Sequence, residues 1–284
     1  MRWRGREESS NVEDRRGIGG AGLAVGGGLG SVVILVIALL FGVDPSQLLN
    51  SGQEGGPGPA TQTGQQPTNP QEDEMVKFVR VVVRDTEKVW GDIFQKSGRQ
   101  YREPRLEIFS QQTQSACGVA GASVGPFYCP ADQKIYIDLS FYDEMKRRFR
   151  APGDFAQAYV IAHEVGHHVQ NLLGTSGKVD ALQRRAGEAQ ANRLSVMLEL
   201  QADCYAGVWG FYEQQHGIIE PGDIEEALNA ASAIGDDRLQ KEAQGYVVPD
   251  SFTHGSSEQR ARWFRQGFES GDTRRCDTFN ARGL

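Results

Sequence analysis

The sequence predicts a mainly helical α+β domain with a small sheet, preceded by one transmembrane helix. Three observations support this: a charge-free run from Gly17 to Val43, long segments with apolar residues at helical spacing after residue 74, and short apolar segments between residues 105 and 139. The chain has 284 residues, of which 39% are hydrophobic. This length and composition suffice for a packed core and exclude a wholly disordered chain.

The charge-free run predicts a membrane helix over residues 18–43. Its stretch from Val32 to Phe41 is apolar throughout, and as a helix the run could cross a bilayer of roughly 30 Å. A cleaved signal peptide is the alternative, but no small-x-small cleavage site follows Leu40. Five arginines precede the run and no Lys or Arg follows it before Lys77. The positive-inside rule therefore predicts that residues 1–17 lie in the cytoplasm of a bacterium and that the bulk of the chain is periplasmic or extracellular.

Residues 44–74 are predicted to be a flexible linker. Positions 44–70 contain five Gly, five Pro and five Gln, with almost no aliphatic residue after Leu49. The folded domain is therefore assigned to residues 75–284. Its charges are mixed, since the whole chain carries 30 basic and 37 acidic residues, and no part is basic enough to indicate a nucleic-acid partner.

Within the domain, the elements can be predicted coarsely. A helix is expected from Glu74 to Gln95, another over about 141–150, and a long helical stretch over 185–215. Short strands are expected at 106–108, at 127–128 and at 135–139, the last two forming a hairpin. The segment Ile135–Leu139 is the expected edge strand of the sheet.

The four cysteines all lie in the part predicted to be exported, where oxidation is allowed. Cys117 and Cys129 bracket a Gly-rich segment that could hardly hold its shape by packing alone, which favours a bridge between them. Cys204 and Cys276 would then pair with each other. Free buried thiols are the alternative.

The motif that indicates chemistry lies in a helix that ends at Gly174. The sequence His163-Glu164-Val165-Gly166-His167 places two imidazoles one turn apart on the same helix face, so both can bind one cation. Glu164 lies beside them, close enough to take a proton from a metal-bound water. Zinc is the metal that this geometry favours.

The third zinc ligand is expected on the next long helix. A metzincin would place a third histidine six residues after His167, but this chain has Leu173 there, so that class is excluded. Glu199 and Asp203 form an acidic pair one turn apart, flanked by apolar residues, and a buried pair of carboxylates needs a cation. Glu199 is predicted to bind zinc, and Asp203 to orient a ligand histidine.

Three motifs together suggest a family. HEVGH at 163–167, ELQAD at 199–203 and FTHGSSEQR at 252–260 resemble the bacterial YpfJ-like family named putative neutral zinc metallopeptidases, which also has an N-terminal membrane helix. The order of the motifs is more distantly similar to gluzincin peptidases related to CAAX-processing and HtpX-type membrane proteases, in which the glutamate matching Glu199 binds zinc. The resemblance implies a gluzincin-type fold. A single membrane helix departs from those relatives, so their intramembrane substrates are not implied.

Two further residues are candidates for the site. His254 is expected at a loop-to-helix junction, where it could stabilise the tetrahedral oxyanion or occupy the open position of the zinc. A local structural role for His254 is the alternative. Arg260 could orient substrate or a buried carboxylate.

These residues predict a zinc metalloendopeptidase that acts on protein or peptide substrates outside the cytoplasmic membrane. Zinc held by His163, His167 and Glu199 would activate a water, and Glu164 would transfer its proton. The competing hypothesis is a membrane-tethered zinc-binding scaffold or holdase without proteolytic activity. Structural zinc sites usually have four protein ligands, so a permanent fourth ligand at His254 would favour the scaffold.

Overall fold

A computed structural model of the chain describes residues 1–17 and 69–281. The predicted membrane helix at 18–43 and linker residues 44–68 lie outside the described residues. Among the helices of the two described ranges, none has the length and apolar composition needed to cross a bilayer.

Helices make up most of the described chain. They are α1 Pro70–Lys96, α2 Ser140–Arg147, α3 Asp154–Leu173, α4 Thr175–Gln183, α5 Glu188–Gln215, α6 Asp223–Ala233, α7 Asp236–Gln244 and α8 Ser257–Ser270. Short 3-10 turns lie at Ala122–Val124, Pro249–Ser251 and Thr273–Cys276. The predicted mainly helical α+β class agrees with this arrangement.

The main sheet has four strands in the order β1-β2-β6-β5. The strands are β1 Val12–Asp14, β2 Arg105–Phe109, β5 Phe127–Cys129 and β6 Lys134–Asp138. The first three in sheet order are parallel, while β5 and β6 are antiparallel, with Phe127 opposite Tyr136. A separate antiparallel hairpin joins β3 Gln112–Ser115 to β4 Gly118–Gly121.

The sheet order corrects one expectation. The segment predicted to be the edge strand corresponds to β6, which lies inside the sheet between β2 and β5. The hairpin of β5 and β6 forms as predicted, but β6 also pairs along its full length with β2. The edge on this side of the sheet is therefore β5, and the edge on the other side is β1.

Helix α1 starts earlier than predicted. The side chain of Asn69 accepts a hydrogen bond from the Gln71 backbone N–H, and Pro70 occupies the first helical position, where its missing N–H costs nothing. The helix thus extends into the last residues of the predicted linker. Its valine-rich middle is buried on several sides, so tertiary packing outweighs the weak helix propensity of β-branched residues.

The N-terminal residues pack against the domain that the sequence predicts to begin at residue 75. Met1, Trp3 and Val12 lie in the same hydrophobic core as α1 and α3. Residues 12–14 form β1, which extends the sheet by pairing with β2. Residues 1–17 are therefore packed with the folded domain, while their cytoplasmic location stays a prediction from the sequence.

Both predicted disulfides are present. Cys117–Cys129 ties the end of the β3–β4 hairpin to β5, with a Cα–Cα distance of 5.9 Å. Cys204–Cys276 ties α5 to the C-terminal 3-10 turn, with a Cα–Cα distance of 5.6 Å. The described cysteines include no free thiol.

Candidate metal centre

The site forms where α3 crosses α5, and a glycine permits the contact. A Cβ added at Gly166 would lie 2.9 Å from the carbonyl oxygen and 3.1 Å from the Cα of Ala202, closer than side-chain carbons normally approach backbone. Gly166 lies between the two histidines of α3, and Ala202 lies between Glu199 and Asp203 on α5. The close approach therefore brings both motifs into one site.

Three side chains converge from the two helices. The Nε2 atom of His163 lies 3.2 Å from a Glu199 carboxylate oxygen and 3.2 Å from the Nε2 atom of His167. The His167 Nε2 lies 3.3 Å from the other Glu199 oxygen. Ligands of a tetrahedral zinc, each about 2.0–2.1 Å from the metal, lie about 3.3 Å from one another. The donor set and its spacing therefore fit zinc, and the three residues form a cluster capable of holding a metal ion.

Each candidate ligand histidine has an acceptor for its other ring nitrogen. The Nδ1 of His163 lies 2.8 Å from Asp203 Oδ1, and the Nδ1 of His167 lies 2.9 Å from Gln170 Oε1. An acceptor at Nδ1 fixes the proton there and leaves Nε2 free to bind a metal. Asp203 thus lies where the sequence predicted an orienting residue, whereas the part played by Gln170 was missed.

Asp203 is itself held by two buried side chains. Arg260 donates to both of its carboxylate oxygens, at 2.9 and 3.0 Å, and the Tyr159 hydroxyl donates to Oδ1. Burial raises the pKa of the Asp203 carboxyl, but Arg260 and His163 outweigh it, so this pKa is lower than usual. Of the two predicted roles for Arg260, the structure supports orientation of a buried carboxylate.

Glu164 faces the cleft beside the two histidines. Its side chain is buried, at 7% exposure, and burial is the main reason that its pKa is raised. Within the two described ranges, no protein group donates a hydrogen bond to its carboxylate. Glu164 is therefore free to accept a proton from a molecule in the cleft.

His254 lies across the cleft and is held by an acidic residue that the sequence did not indicate. Asp236, fully buried at the start of α7, accepts hydrogen bonds from the backbone N–H groups of Thr253, His254 and Gly255 at 2.6–2.9 Å. Its other oxygen lies 3.3 Å from the His254 Nδ1. Burial lowers the pKa of His254, but Glu199 and Asp236 outweigh this effect, so the pKa is raised. His254 is thus suited to donate a hydrogen bond.

The metal site opens into a cleft of about 480 Å³. Its lining includes the polar groups of the site, among them Glu164, His254 and Arg260. The remaining lining is largely apolar, with Val124, Phe127, Phe141, Val160, Val179 and Leu239 among its members. A site of this shape can take an apolar side chain next to the polar centre.

His168 takes no part in the site, although it adjoins His167. Its ring nitrogens lie 2.6 Å from the Arg102 carbonyl oxygen and 3.0 Å from the Tyr128 hydroxyl. Burial lowers the pKa of His168 to about 4, so the ring is neutral at pH 7. The His168 ring is therefore held away from the metal-binding residues by packing and hydrogen bonds.

Comparison with known proteins identifies the family. The family model described as "Putative neutral zinc metallopeptidase" matches residues 1–279. The chain is 54% identical to the uncharacterized protein YpfJ of Escherichia coli strain K12, over 98% of this chain and 99% of YpfJ. It is 45% identical to the uncharacterized protein Rv2575 of Mycobacterium tuberculosis strain H37Rv, over 65% of each chain. No solved structure matches it. The resemblance seen in the sequence motifs is thereby confirmed, and the chain belongs to the neutral zinc metallopeptidase family.

Proposed function

We propose that the chain is a zinc-dependent peptidase of gluzincin type that hydrolyses peptide bonds in protein substrates. The observation that supports this best is the convergence of His163, His167 and Glu199 at tetrahedral spacing. Beside them lies the Glu164 carboxylate, which accepts no hydrogen bond from the described protein groups. The family to which the chain belongs supports zinc peptidase activity at the coarse level. The gluzincin type rests on Glu199, which comes from a second helix, as the third ligand.

The residues of the site have distinct roles in this proposal. Bound zinc supplies Lewis-acid chemistry, which favours deprotonation of an attacking water and polarises the peptide carbonyl. Glu164 takes the proton of that water and delivers it to the leaving amine nitrogen. His254, held by Asp236, donates a hydrogen bond to the oxygen on which negative charge develops. Asp203 and Gln170 keep the two histidine rings in the orientation that zinc requires.

The competing scaffold hypothesis requires a closed site. Among the described residues, the metal-binding cluster that contains His163 has three members, and His254 is not one of them. Three protein ligands leave one tetrahedral position open for water or substrate, as in catalytic zinc sites, whereas structural sites usually have four. A buried glutamate without a protein partner also has no use in a scaffold. Both features favour the enzyme.

The proposed location of the domain is the outer side of the cytoplasmic membrane. Two disulfide bonds support it, because such bonds persist in oxidising compartments and are rare in the cytosol. In this proposal the charge-free run at residues 18–43 attaches the chain to the membrane, whichever side residues 1–17 occupy.

The decisive experiment measures zinc binding and peptide hydrolysis separately. Glu164→Gln keeps the size of the side chain and removes the base, so we expect zinc content close to one per chain and a loss of roughly 10²–10⁴ in hydrolysis rate. Casein cleavage and metal analysis of the purified chain measure the two quantities.

Glu199→Ala is the matched comparison, because it removes a direct ligand. We expect it to lose both zinc and activity. If Glu164→Gln cleaved casein at the wild-type rate, Glu164 would not be the base; if the wild-type zinc protein cleaved no protein or peptide substrate, the scaffold hypothesis would replace the enzyme.

A further inference from the structure

Met1 lies against a cluster of carboxylates. The α-ammonium group of Met1 lies 2.7 Å from Asp154 Oδ1, 3.2 Å from Asp223 Oδ1 and 3.5 Å from Glu220 Oε2. Asp154 is the first residue of α3, the helix that carries the metal-binding histidines, and Asp223 begins α6. The carboxylates of Asp154, Asp223 and Glu226 are close enough together to hold a cation. The cation next to them in this structure is the N-terminus itself.

Two more side chains of the N-terminal residues enter the domain. Trp3 is 8% exposed and packs edge-on against Phe78 of α1, with 5.4 Å between ring centroids. The Arg6 guanidinium lies 2.6 Å from Asp85 of α1 and 3.5 Å from Glu213 of α5. Both of these carboxylates are almost fully buried, at 1–2% exposure. Buried carboxylates require a positive partner, and Arg6 supplies it.

The remaining N-terminal residues continue along the same surface to the sheet. The Ser9 hydroxyl donates to Glu87 at 2.6 Å, and the Ser9 backbone N–H donates to the Arg80 carbonyl. The β1 strand then adds to the free edge of β2, and the Arg15 N–H donates to the Ile108 carbonyl at 2.8 Å. Residues 1–17, here called the arm, thus lie against a surface, here called the groove, that runs from the start of α3 to the edge of the sheet.

The end of the arm contacts the start of α1, the first helix after residues 18–68. The Arg16 guanidinium lies 3.0 Å from Glu72 and 3.1 Å from Asp73, both in the first turn of α1. The described residues that precede and follow positions 18–68 are therefore in contact. A chain that crosses a bilayer once leaves the residues on either side of the crossing in different compartments. The docked arm is incompatible with that arrangement.

We infer that the groove is a second peptide-binding site, separate from the metal centre, whose ligand is the arm, and that the arm and the catalytic domain occupy the same side of the membrane. The ligand chemistry is specific: the indole of Trp3, the guanidinium of Arg6 and a strand that adds to β2. This replaces the single crossing that the arginines before residue 18 suggested. Arg6 and Arg16 are paired with carboxylates of the domain and form part of its surface.

Paired cysteine labelling of the full-length chain tests the shared compartment. Ser10 in the arm and Ala189 at the start of α5 are both exposed. Ala189 lies about 22 Å along the helix from Cys204, so a new thiol there is remote from that disulfide. Ser10→Cys and Ala189→Cys would each be treated in spheroplasts with a membrane-impermeant maleimide. We expect the same result at both positions before detergent is added.

The outcomes separate this inference from the proposed function. Labelling at both positions supports the shared side and the outer location. Protection at both supports the shared side but contradicts the outer location. Labelling at one position and protection at the other overturns the inference, whatever the peptidase assay shows.

Hydrogen exchange of the purified full-length chain tests the docking itself. We expect the amides of residues 9–15 to be protected at least tenfold relative to an unfolded chain, and this protection to fall at least tenfold in Arg6→Gln. Arg4→Gln is the matched control, because Arg4 is exposed and forms no ion pair among the described residues, its guanidinium lying 4.7 Å from the centre of the Trp3 ring. We expect it to leave the protection unchanged. Exchange of the wild-type arm at the rate of an unfolded chain would contradict the binding site.

Discussion

At the scale of single residues, the candidate centre depends on the side chains that accept hydrogen bonds from the Nδ1 atoms of the two ligand histidines. His163 is backed by a carboxylate and His167 by an amide, so the two rings differ in the charge of their partner. The carboxylate is further tied to Arg260, whereas the amide of Gln170 donates to the Leu198 carbonyl at 2.6 Å. The orientation of both rings is thus anchored to the backbone and side chains of α5 and α8.

Gln170 provides a clean test of this support. Gln170→Leu keeps the volume of the side chain but removes the acceptor at His167 Nδ1, so we expect zinc affinity to fall about 10–100-fold. Competition with a chromogenic zinc chelator measures this affinity. His168→Phe is the control on the same helix: it should lower the free energy of unfolding by about 1–3 kcal/mol through lost buried hydrogen bonds, with unchanged zinc affinity. Equal zinc affinity in Gln170→Leu and wild type would contradict the orienting role.

The sequence predicted the residues that have a distinctive local pattern. The spacing of His163 and His167 predicted one metal-binding face. The acidic pair of Glu199 and Asp203 in apolar surroundings predicted the third ligand and the residue that orients a ligand histidine. Gln170 and Asp236 carry no such pattern. Their roles depend on which groups of distant helices face them, and that information appears only when the helices are packed.

At the scale of elements, the distance between α3 and α5 determines whether the ligands meet. Gly166→Ala would place a methyl group 2.9 Å from the Ala202 carbonyl oxygen, so the helices must separate. We expect a loss of about 1–3 kcal/mol in the free energy of unfolding together with weaker zinc binding. Denaturant unfolding and zinc titration measure the two effects.

Gly177→Ala is the matched substitution for that test. Gly177 lies within α4, and an added Cβ would meet no atom within 4 Å. Because alanine favours a helix over glycine by about 1 kcal/mol, we expect this variant to be as stable as wild type or more stable, with normal zinc binding. If Gly166→Ala behaved in the same way, close helix packing would not be what assembles the site.

The prediction of elements worked best where the signal was local. Helix α3 ends at Leu173, just before Gly174 as predicted, and the helical stretch predicted over 185–215 corresponds to α5 Glu188–Gln215. Helix α8 begins with a capping box formed by Ser256 and Gln259. Strand order was less predictable. The position of β6 inside the sheet depends on β2, which lies about 30 residues earlier, and no hairpin signal links them.

At the scale of the whole molecule, the largest departure from the sequence prediction is the arm. Composition alone made residues 1–17 look like a basic flank of a membrane helix. Only the folded domain reveals the buried carboxylates of Asp85 and Glu213 that Arg6 neutralises. Pairing partners so far apart in the chain leave no trace in local sequence patterns.

The same carboxylates make stability depend on pH. Burial raises the pKa of Asp85 and of Glu213 to about 7, and the charge of Glu213 adds to the effect on Asp85, while Arg6 opposes it. The folded state therefore binds these protons more tightly than the unfolded state, whose carboxyl pKa values are near 4. This contribution to stability is fully present below about pH 4 and is lost as the pH rises through about 7.

Glu213→Gln tests this dependence, because the amide cannot ionise. We expect the variant to be more stable than wild type at pH 8, on the order of 1–3 kcal/mol, and the difference to shrink towards pH 5. Thermal melts at several pH values measure it. The exposed residue Glu269 supplies the control, and Glu269→Gln should follow the wild-type curve. A pH-independent difference between Glu213→Gln and wild type would contradict the raised pKa.

The cleft, assembled from several helices and the β5 edge, predicts substrate preference. Val160 lies one turn before Glu164 on α3 and lines the apolar wall, so a substrate side chain next to the cleaved bond would contact it. We expect peptides with bulky apolar residues there to be cleaved fastest. Val160→Phe should lower kcat/KM for such peptides about 10–200-fold relative to peptides with alanine at that position. Val169→Ala, at a buried α3 position outside the cleft lining, should leave the ratio unchanged even if it lowers stability. An unchanged ratio in Val160→Phe would show that the apolar wall does not select the substrate.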